Sequence, residues 1–334
     1  MRIVKYCTIF LASMLFLMTS CREKKNDKFL SIYSGFAQGT TFSIKVKDSV
    51  EHNFIAPIDS ILKGIDMSMS VFEPNSLISR LNRNETDSLD AYIKECIQIA
   101  ERLSKESGGI YDITIKPLTS AYGFTGDGAM KDPNVDSLMQ YVGYKKISIE
   151  GGRLVKENPN IQLDLNSIAQ GYTVDVIARY FDSMGYKDYI IEVGGEVFSR
   201  GTNMSEIPWI VGIDKPVEGN AAGKNIQVMI GLSGKGLATS GNYRKFYTDD
   251  SGRKIVHTVD ATTGEPVISN MLSATVVADD ATLADVYGTF FMAAGLEKSI
   301  ETLEKNKDLA AYIIYSDDSG KFQVYATENL NIIE

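Results

Sequence analysis

The stretch Asp164-Leu165-Asn166-Ser167-Ile168-Ala169-Gln170-Gly171-Tyr172 is a junction at which a strand pattern passes directly into a helix pattern. The apolar residues of Ile161–Leu165 predict a short strand. The apolar side chains that follow predict a helix over Asn166–Met184, which Gly185 ends. Free backbone N–H groups at a helix start can bind anionic oxygens, so the junction is a candidate ligand site. Ordinary capping of the helix by Asp164 or Asn166 would explain the same residues.

The elements on either side of this junction mix helices and strands without a regular order. Alternating apolar residues predict a strand over Thr41–Val46, and helical periodicity predicts helices over Phe54–Ser70 and Asp90–Lys105. Asp280 can cap a final long helix from Ala281 to about Lys305. Short β-rich runs lie at Tyr189–Val193, Trp209–Ile213, Ile226–Ile230, Leu272–Val277, Ala311–Tyr315 and Phe322–Tyr325. This mixture predicts an α+β fold of antiparallel sheets with packed helices rather than a doubly wound sheet.

The composition is that of a globular, acidic protein. The chain has 334 residues, of which 44% are hydrophobic, enough for one large domain or two intimately packed subdomains. The formal net charge is −9 and no long basic run occurs, which argues against a nucleic-acid partner. An acidic protein needs a local cation to bind an anionic ligand, and a bound metal ion is one way to supply it.

The N-terminus predicts export and lipid anchoring. After a positively charged start, the largely apolar segment from Ile9 to Met18 is too short for an ordinary transmembrane helix. Met18-Thr19-Ser20-Cys21 resembles a bacterial lipobox, in which Cys21 is the acylated residue. We predict a lipoprotein signal peptide at 1–20, a tether at 21–30 and a single domain at 31–334, held by lipid on the periplasmic side of a bacterial membrane. A plain signal peptide with an incidental cysteine would also export the chain.

His257 opens a polar turn. It follows the apolar pair Ile255-Val256 and starts the segment His257-Thr258-Val259-Asp260-Ala261-Thr262-Thr263-Gly264-Glu265-Pro266. Polar residues at such a loop edge often form binding or catalytic sites. A β-turn whose histidine only satisfies backbone groups would account for the segment equally well.

Asp285 and Thr289 form a candidate metal site. Residues four apart share a helix face, so a carboxylate and a hydroxyl would point the same way here. Such oxygen donors suit a hard cation such as Mg²⁺. An exposed helix face near its N-terminus, where the helix dipole favours an aspartate, would also explain the pair.

Taken in order, these segments resemble the FAD:protein FMN transferases, the ApbE family. The similar segments are Gly39-Thr40-Thr41, Phe72 with Asn75 to Asn82, Tyr111 to Leu118, Asp164 to Gly171, Glu192 to Glu196, Thr239 to Tyr243, His257 to Pro266, and Ala284-Asp285 with Thr289. This chain departs from the family pattern where Ala261 stands for proline, Asn242 for aspartate and Gln170 for lysine. The change at Gln170 would remove a cation near the FAD phosphates.

The resemblance implies a fold and a reaction. The family's fold is an α+β arrangement of antiparallel sheet, with FAD bound in a cleft between two intimately associated subdomains. In the reaction, Mg²⁺ assists the transfer of FMN from FAD to a threonine of an acceptor protein, and AMP leaves. The expected partners are therefore FAD and acceptor proteins that carry a target threonine, of the respiratory or redox type found in membranes.

The resemblance also implies roles for individual residues. Asp285 and Thr289 become side-chain ligands of Mg²⁺, together with a backbone carbonyl near Ser167. His257 becomes the general base that takes the proton of the incoming threonine, a task suited to the unperturbed pKa of histidine, about 6.5. The residues expected to line FAD are Phe72, Tyr111, Asp112, Ile113, Asp164, Gln170 and Thr258.

Two other functions could use the same residues. Water in place of threonine would make the protein an Mg²⁺-dependent FAD pyrophosphatase that releases FMN and AMP. A non-enzymatic flavin-binding lipoprotein is the second alternative, and the presence of both His257 and Asp285 argues against it. Product analysis with and without an acceptor protein distinguishes hydrolysis from transfer.

Overall fold

The computed structural model describes residues 28–50, 53–126, 128–130, 133–217, 223–242, 246–248, 252 and 254–333. The predicted signal peptide, the predicted lipidation site Cys21 and the tether up to residue 27 lie outside these residues, and so does Tyr243 of the family-like segment. Within the described residues, no helix is both long and apolar enough to cross a membrane.

A mixed set of antiparallel sheets organises the described residues. The main sheet has eight strands in the order β1 (Phe29–Ala37), β2 (Thr40–Asp48), β5 (Asp188–Val193), β6 (Glu196–Arg200), β9 (Lys235–Gly241), β12 (Met271–Ala278), β13 (Ala310–Ser316) and β14 (Phe322–Ala326). Smaller sheets pair β3 (Ile147–Glu150) with β4 (Arg153–Lys156), β10 (Phe246–Thr248) with β11 (Lys254–Val256), and β8 (Ile226–Leu232) with both β15 (Ile332–Ile333) and β7 (Trp209–Asp214). Neighbouring strands of the main sheet all run antiparallel. The predicted α+β class with antiparallel sheets is confirmed.

The four helical segments predicted from the sequence are helical apart from differences at two ends, and three short helices were not predicted. The helices are α1 (Ile55–Met69), α2 (Leu77–Asn82), α3 (Ala91–Glu106), α4 (Lys116–Ala121), α5 (Val135–Met139), α6 (Ala169–Ser183), α7 (Ala281–Ala294) and α8 (Leu296–Lys305). The helix predicted from Asn166 begins only at Ala169. The single long helix predicted after Asp280 is wrong, because Gly295 adopts a φ of 81° and separates α7 from α8. Asp280 does cap α7, since its side chain accepts a hydrogen bond from the N–H of Leu283.

The first hairpin was only half predicted. In β2 the alternating side chains of Phe42, Ile44 and Val46 are buried, as the pattern requires. Its partner β1 is an edge strand whose outward side chains include the exposed Ile32 and Phe36, so it lacks that clear alternation. Because β1 begins at Phe29, residues 29 and 30, the last two of the predicted tether, belong to the sheet.

The strand predicted over Ile161–Leu165 is an extended segment with little ladder pairing. One isolated bridge joins Gln162 to Ile115. At Leu163 the side-chain amide of Asn82 takes the place of a neighbouring strand: its Nδ2 donates to the carbonyl at 2.8 Å, and its Oδ1 accepts from the N–H at 2.7 Å. A buried side chain that satisfies the backbone in this way cannot be recognised from local periodicity.

The main sheet carries different layers on its two faces. Because successive residues of a strand point to opposite faces, Ala238 and Ile313 pack among side chains of α1, α3, α6 and α7. Their neighbours Leu237 and Ile314 pack instead with Ile213 of β7 and residues of β8. The main sheet therefore lies between a helical layer and the small sheet, and the first turns of α6 and α7 meet on the helical side.

Candidate functional site

Asp285 of the predicted metal site is buried where α6 meets α7. Only 6% of its surface is exposed, and one carboxylate oxygen accepts a 3.1 Å hydrogen bond from the N–H of Gly171. A Cβ at residue 171 would lie 2.5 Å from the carbonyl oxygen of Ala281 and 2.8 Å from the Cβ of Asp285. Glycine is therefore required for this close approach of the helices. An exposed helix face, the alternative left open by the sequence, is excluded.

The carboxylate of Glu196 acts electrostatically on Asp285. Glu196 begins β6 directly after the Gly194-Gly195 turn, and 7% of its surface is exposed. Burial raises the pKa of the Asp285 carboxyl well above its usual range, the negative charge of Glu196 raises it further, and the hydrogen bond from Gly171 opposes both. A cation at Asp285 would offset this repulsion. Glu196 has no role among the sequence-based predictions, because nothing local to its Gly-Gly turn reveals that Asp285 lies nearby.

A second buried aspartate fixes the two helices relative to each other. Asp175 of α6 accepts hydrogen bonds from the N–H groups of Ala281 and Thr282, at 3.0 and 2.8 Å, and from the hydroxyl of Thr282. Burial, reinforced by the charge of Asp280, raises the pKa of Asp175 to about 7 against these hydrogen bonds. The carboxyl of Asp175 ties the middle of α6 to the N-terminus of α7, and so it holds the helices that carry Gly171 and Asp285.

Ser167 contacts Tyr111, and the charge of Asp285 acts on Tyr111. The hydroxyl of Ser167 donates a 3.0 Å hydrogen bond to the phenolic oxygen of Tyr111. Burial raises the pKa of Tyr111, the bond from Ser167 lowers it, and the charge of Asp285 raises it again. The N–H of Gly171 donates to Asp285 and not to the carbonyl of Ser167, its usual partner four residues earlier in a helix. That carbonyl accepts no hydrogen bond within the described part of the chain, so it is the group of Ser167 left for a metal.

Two of the residues predicted to line FAD, Asp112 and Ile113, make hydrogen bonds or apolar contacts within the protein. The carboxylate of Asp112 accepts from the N–H and hydroxyl of Thr114, at 2.8 and 2.7 Å, and from the N–H of Tyr144. The side chain of Ile113 is buried in the main apolar cluster, and its carbonyl accepts from the N–H of Asp164 at 2.8 Å. These side chains support the backbone of this segment, and their contact with FAD stays a prediction.

Asp164 links the junction to α4 and does not cap α6. Its two carboxylate oxygens accept from the N–H of Asn166 at 2.9 Å and from the hydroxyl of Thr119 at 3.0 Å. The N-cap residue of α6 is Ile168, which makes no side-chain capping bond. Helix capping by Asp164 or Asn166 is therefore wrong as an explanation of these residues.

Gln170 and Phe72 occupy two different surroundings. The half-buried side chain of Gln170 packs over Gly194, where a Cβ would lie 2.7 Å from its Nε2. Phe72 is 61% exposed, and its ring lies 3.8 Å from where a Cβ of Gly126 would be. A large aromatic ring left open to solvent above a glycine can stack on a planar ligand, and the contact of Phe72 with the flavin stays a prediction.

His257 lies just after β11 and packs against aromatic rings. Its half-buried imidazole makes an edge-to-face contact with Phe124, with ring centres 6.3 Å apart, and Phe124 in turn packs 5.8 Å from Tyr247. The next residue, Thr258, is buried and donates a 2.8 Å hydrogen bond to Oδ1 of Asn242. The hydroxyl predicted to contact FAD is thus engaged within the protein.

Strand β9 connects the segment of His257 to α7, the helix that carries Asp285. Asn242, the partner of Thr258, follows the last residue of β9. Within that strand, Ser240 faces α7, since a Cβ at Gly288 would lie 2.9 Å from its hydroxyl oxygen. Gly288 directly precedes the half-buried Thr289 on α7. The segment of His257 and helix α7 therefore both contact the C-terminal end of β9, although they are far apart in sequence.

The donors in this region suit a hard cation. A carboxylate, a hydroxyl and a carbonyl oxygen are ligands that Mg²⁺ prefers. Among the described residues, no group of three or more His, Cys, Asp or Glu side chains is arranged to hold a metal ion. A metal site here would depend on the single carboxylate of Asp285 with neutral oxygens, and its occupation by Mg²⁺ stays a prediction.

The chain is similar to proteins of known sequence and structure over most of its length. A family model described as the ApbE family matches residues 38–313. The chain is 31% identical to the FAD:protein FMN transferase of Haemophilus influenzae over 93% of both chains. It is 30% identical to the FAD:protein FMN transferase of Vibrio cholerae over 96% of both.

Solved structures share the fold as well. The flavin transferase ApbE from Vibrio cholerae superposes with a TM-score of 0.80 at 30% identity, covering 90% of this chain and 98% of that one. The flavinyl transferase ApbE of Pseudomonas stutzeri in its apo form gives a TM-score of 0.79 at 27% identity, covering 90% and 95%. Since both the family model and the fold span most of the chain, the protein belongs to the ApbE family.

Proposed function

We propose that this protein transfers FMN from FAD to a threonine hydroxyl of an acceptor protein in an Mg²⁺-dependent reaction. The observation that carries the proposal is the buried carboxylate of Asp285, held by the N–H of Gly171 and repelled by Glu196. Such a carboxylate favours a cation, and a cation is what the cleavage of a pyrophosphate requires. The similar proteins named FAD:protein FMN transferase supply the choice of FAD and of a protein as acceptor.

The residues that would hold Mg²⁺ are Asp285, Thr289 and the backbone carbonyl of Ser167, with phosphate oxygens of FAD completing the shell. When bound, the ion would neutralise charge that develops on the pyrophosphate, which makes AMP a better leaving group. The hydrogen bond from Gly171 orients the carboxylate, since it engages one oxygen and leaves the other for a ligand.

We assign proton transfer to His257. The threonine oxygen forms a bond to the FMN phosphorus, the bond from that phosphorus to the oxygen of the AMP phosphate breaks, and AMP leaves with the bonding electrons. The threonine proton passes to the imidazole of His257, whose ring is oriented by its edge-to-face contact with Phe124. The products are a flavin linked to threonine through a phosphoester and free AMP.

The remaining predicted residues divide into those that face FAD and those that support the site. The exposed ring of Phe72 would cover the flavin, and the amide of Gln170 would donate to an oxygen of the ligand. Asp112, Asp164 and Thr258 hold the surrounding backbone through the hydrogen bonds described above. Substitutions in this second set would act through the geometry of the site.

The decisive experiment is incubation of the purified protein with FAD, Mg²⁺ and a candidate subunit of a respiratory complex. We expect a flavin-fluorescent acceptor band on a denaturing gel, a mass increase that matches FMN, and release of one AMP for each FMN attached. FMN and AMP released equally without any acceptor would identify an FAD pyrophosphatase instead. FAD that binds and remains intact would identify a flavin-binding protein.

We further propose that the protein is exported and lipid-anchored, with its domain on the periplasmic side of the membrane. The support for this proposal is the lipobox-like Met18-Thr19-Ser20-Cys21, which lies outside the described residues. Acceptors that are membrane proteins of respiratory or redox type would then share a surface with the enzyme.

Cys21→Ser should release the protein from the membrane. The variant lacks the thiol that is acylated, and bacterial lipoproteins depend on their acyl chains for stable anchoring. We expect the wild type in the membrane fraction and the variant in the soluble fraction, with the covalent lipid detected by mass spectrometry in the wild type alone. A variant that stays in the membrane as firmly as the wild type would contradict the anchor.

A further inference from the structure

Lys116 begins α4 and has no acidic partner within the part of the chain that the structure describes. It occupies the variable position of the family-like segment Tyr111 to Leu118. Its side chain is half-buried, and its ammonium donates a 3.1 Å hydrogen bond to the hydroxyl of Ser120. Over the residues that the structure describes, it takes part in no salt bridge. An ammonium has three N–H donors, and Ser120 takes only one of them. Lys116 can therefore donate hydrogen bonds to negatively charged partners as well.

Hydrogen bonds connect Lys116 to the loop that borders the candidate site. Ser120, its partner, also bonds to the hydroxyl of Thr125 at 2.7 Å. Thr125 lies between Phe124, which contacts His257, and Gly126, over which Phe72 packs. Two hydrogen bonds therefore link Lys116 to the loop whose residues contact His257 and Phe72.

The neighbouring positions of α4 contact the strand-to-helix junction. The hydroxyl of Thr119 donates to the carboxylate of Asp164 at 3.0 Å, and Ile115, just before Lys116, forms the bridge with Gln162. The helix that carries Lys116 thus lies between the junction and the loop of Phe124, the two segments that border the site.

Binding of a pyrophosphate by this acidic protein would be favoured by a positively charged side chain on α4. The protein carries a formal net charge of −9, and the side chain of Asp164, bonded to Thr119, places a carboxyl group next to this helix. A pyrophosphate brings more negative charge, and Gln170 offers only a neutral amide toward it. A half-buried lysine without a carboxylate partner can bind phosphate oxygens through charge-assisted hydrogen bonds.

We propose that Lys116 binds the phosphate oxygens of FAD and is a determinant of this chain's preference for a phosphorylated flavin. The inference rests on the proposed function in one respect, namely that FAD is the substrate. The hydroxyl of Ser120, itself bonded to Thr125, holds the ammonium in place, and the side chain contributes charge without taking part in proton transfer.

The test compares a charged and an uncharged flavin. Dissociation constants for FAD and riboflavin are measured by flavin fluorescence for the wild type, Lys116→Met, Lys116→Arg and the control Lys94→Met, which removes an exposed lysine of α3. We expect Lys116→Met to bind FAD ~10- to 100-fold more weakly, as the loss of a charge-assisted hydrogen bond implies. Riboflavin affinity should not change, and the arginine variant should retain most of the FAD affinity.

The salt dependence of FAD binding provides a second measurement. The affinity of the wild type should fall with increasing salt more steeply than that of Lys116→Met, because one ionic contact is missing in the variant. Unchanged FAD affinity in Lys116→Met, or an equal loss for FAD and riboflavin, would overturn the proposal. A wild-type protein that does not bind FAD would refute the proposed function itself, so the two failures are distinguishable.

Discussion

Asp285→Asn is expected to abolish FMN transfer without unfolding the protein. Asparagine retains an oxygen that can accept the hydrogen bond from Gly171, but it removes the only charged side chain assigned to Mg²⁺. Metal-supplied charge stabilisation is worth several kcal/mol, so the transfer rate should fall by more than ~100-fold. The rate is measured in single turnovers with saturating FAD over a titration of Mg²⁺, and EDTA should abolish wild-type transfer in the same way.

The stability of this variant separates a catalytic loss from a structural one. Asp285 is buried beside Glu196, so neutralising it removes a repulsion between like charges. The melting temperature of Asp285→Asn should therefore equal or exceed that of the wild type. Asp279→Asn, which changes an exposed aspartate paired with Lys235, is the matched control and should transfer FMN normally. Full transfer by Asp285→Asn at limiting Mg²⁺ would contradict the assignment of Asp285.

His257→Gln is expected to slow transfer by ~10²–10⁴-fold, the usual contribution of a general base. Glutamine keeps a polar side chain of similar length but cannot accept the proton of the threonine hydroxyl. FAD affinity should hardly change, because that proton belongs to the acceptor. The measurement is a pair: the FAD dissociation constant by flavin fluorescence, and the single-turnover transfer rate with saturating FAD.

The pair of measurements distinguishes three roles for His257. Normal binding with slow transfer supports the base, whereas weaker binding and slower transfer together would indicate a contact with the cofactor. Normal binding with a normal rate would show a turn residue, and Asp260 or Asp164 would be the next candidates. The control is His52→Gln, since His52 is the other histidine of the chain.

The pH profile tests the same role independently. A general base must be neutral to accept a proton, so the wild-type rate should rise with pH through a single ionisation. Histidine ionises near pH 6.5 when unperturbed. The rate of His257→Gln should not show this rise with pH. A wild-type rate that is constant between pH 5 and 8 would contradict the role of His257 as the general base.

Several parts of the fold and the site follow from local sequence. The alternation of Phe42, Ile44 and Val46 predicts β2, because a strand with one buried face must repeat every second residue. Asp280 predicts the start of α7, because a carboxylate can satisfy a free N–H at a helix end. The order of short motifs along the chain also pointed to Asp285 and His257, since each motif keeps its chemistry in neighbouring residues.

Other features depend on contacts between segments that are distant in sequence. The break at Gly295 and the side-chain pairing of Asn82 with Leu163 contradict or replace elements that the local pattern predicts. Periodicity records which side of a segment is apolar, but it does not record which other segment covers that side. Helix ends and extended segments are therefore decided by their tertiary partners.

The sequence by itself determined the α+β class, the family and the candidate residues of the site. Only the tertiary structure decided that Asp285 is buried against Gly171, that Glu196 lies close enough to repel it, and that Lys116 adjoins the loop of Phe124. The physical reason is that burial and charge–charge repulsion depend on distance in space. The packing of α6 against α7, and of α4 beside the junction, sets those distances.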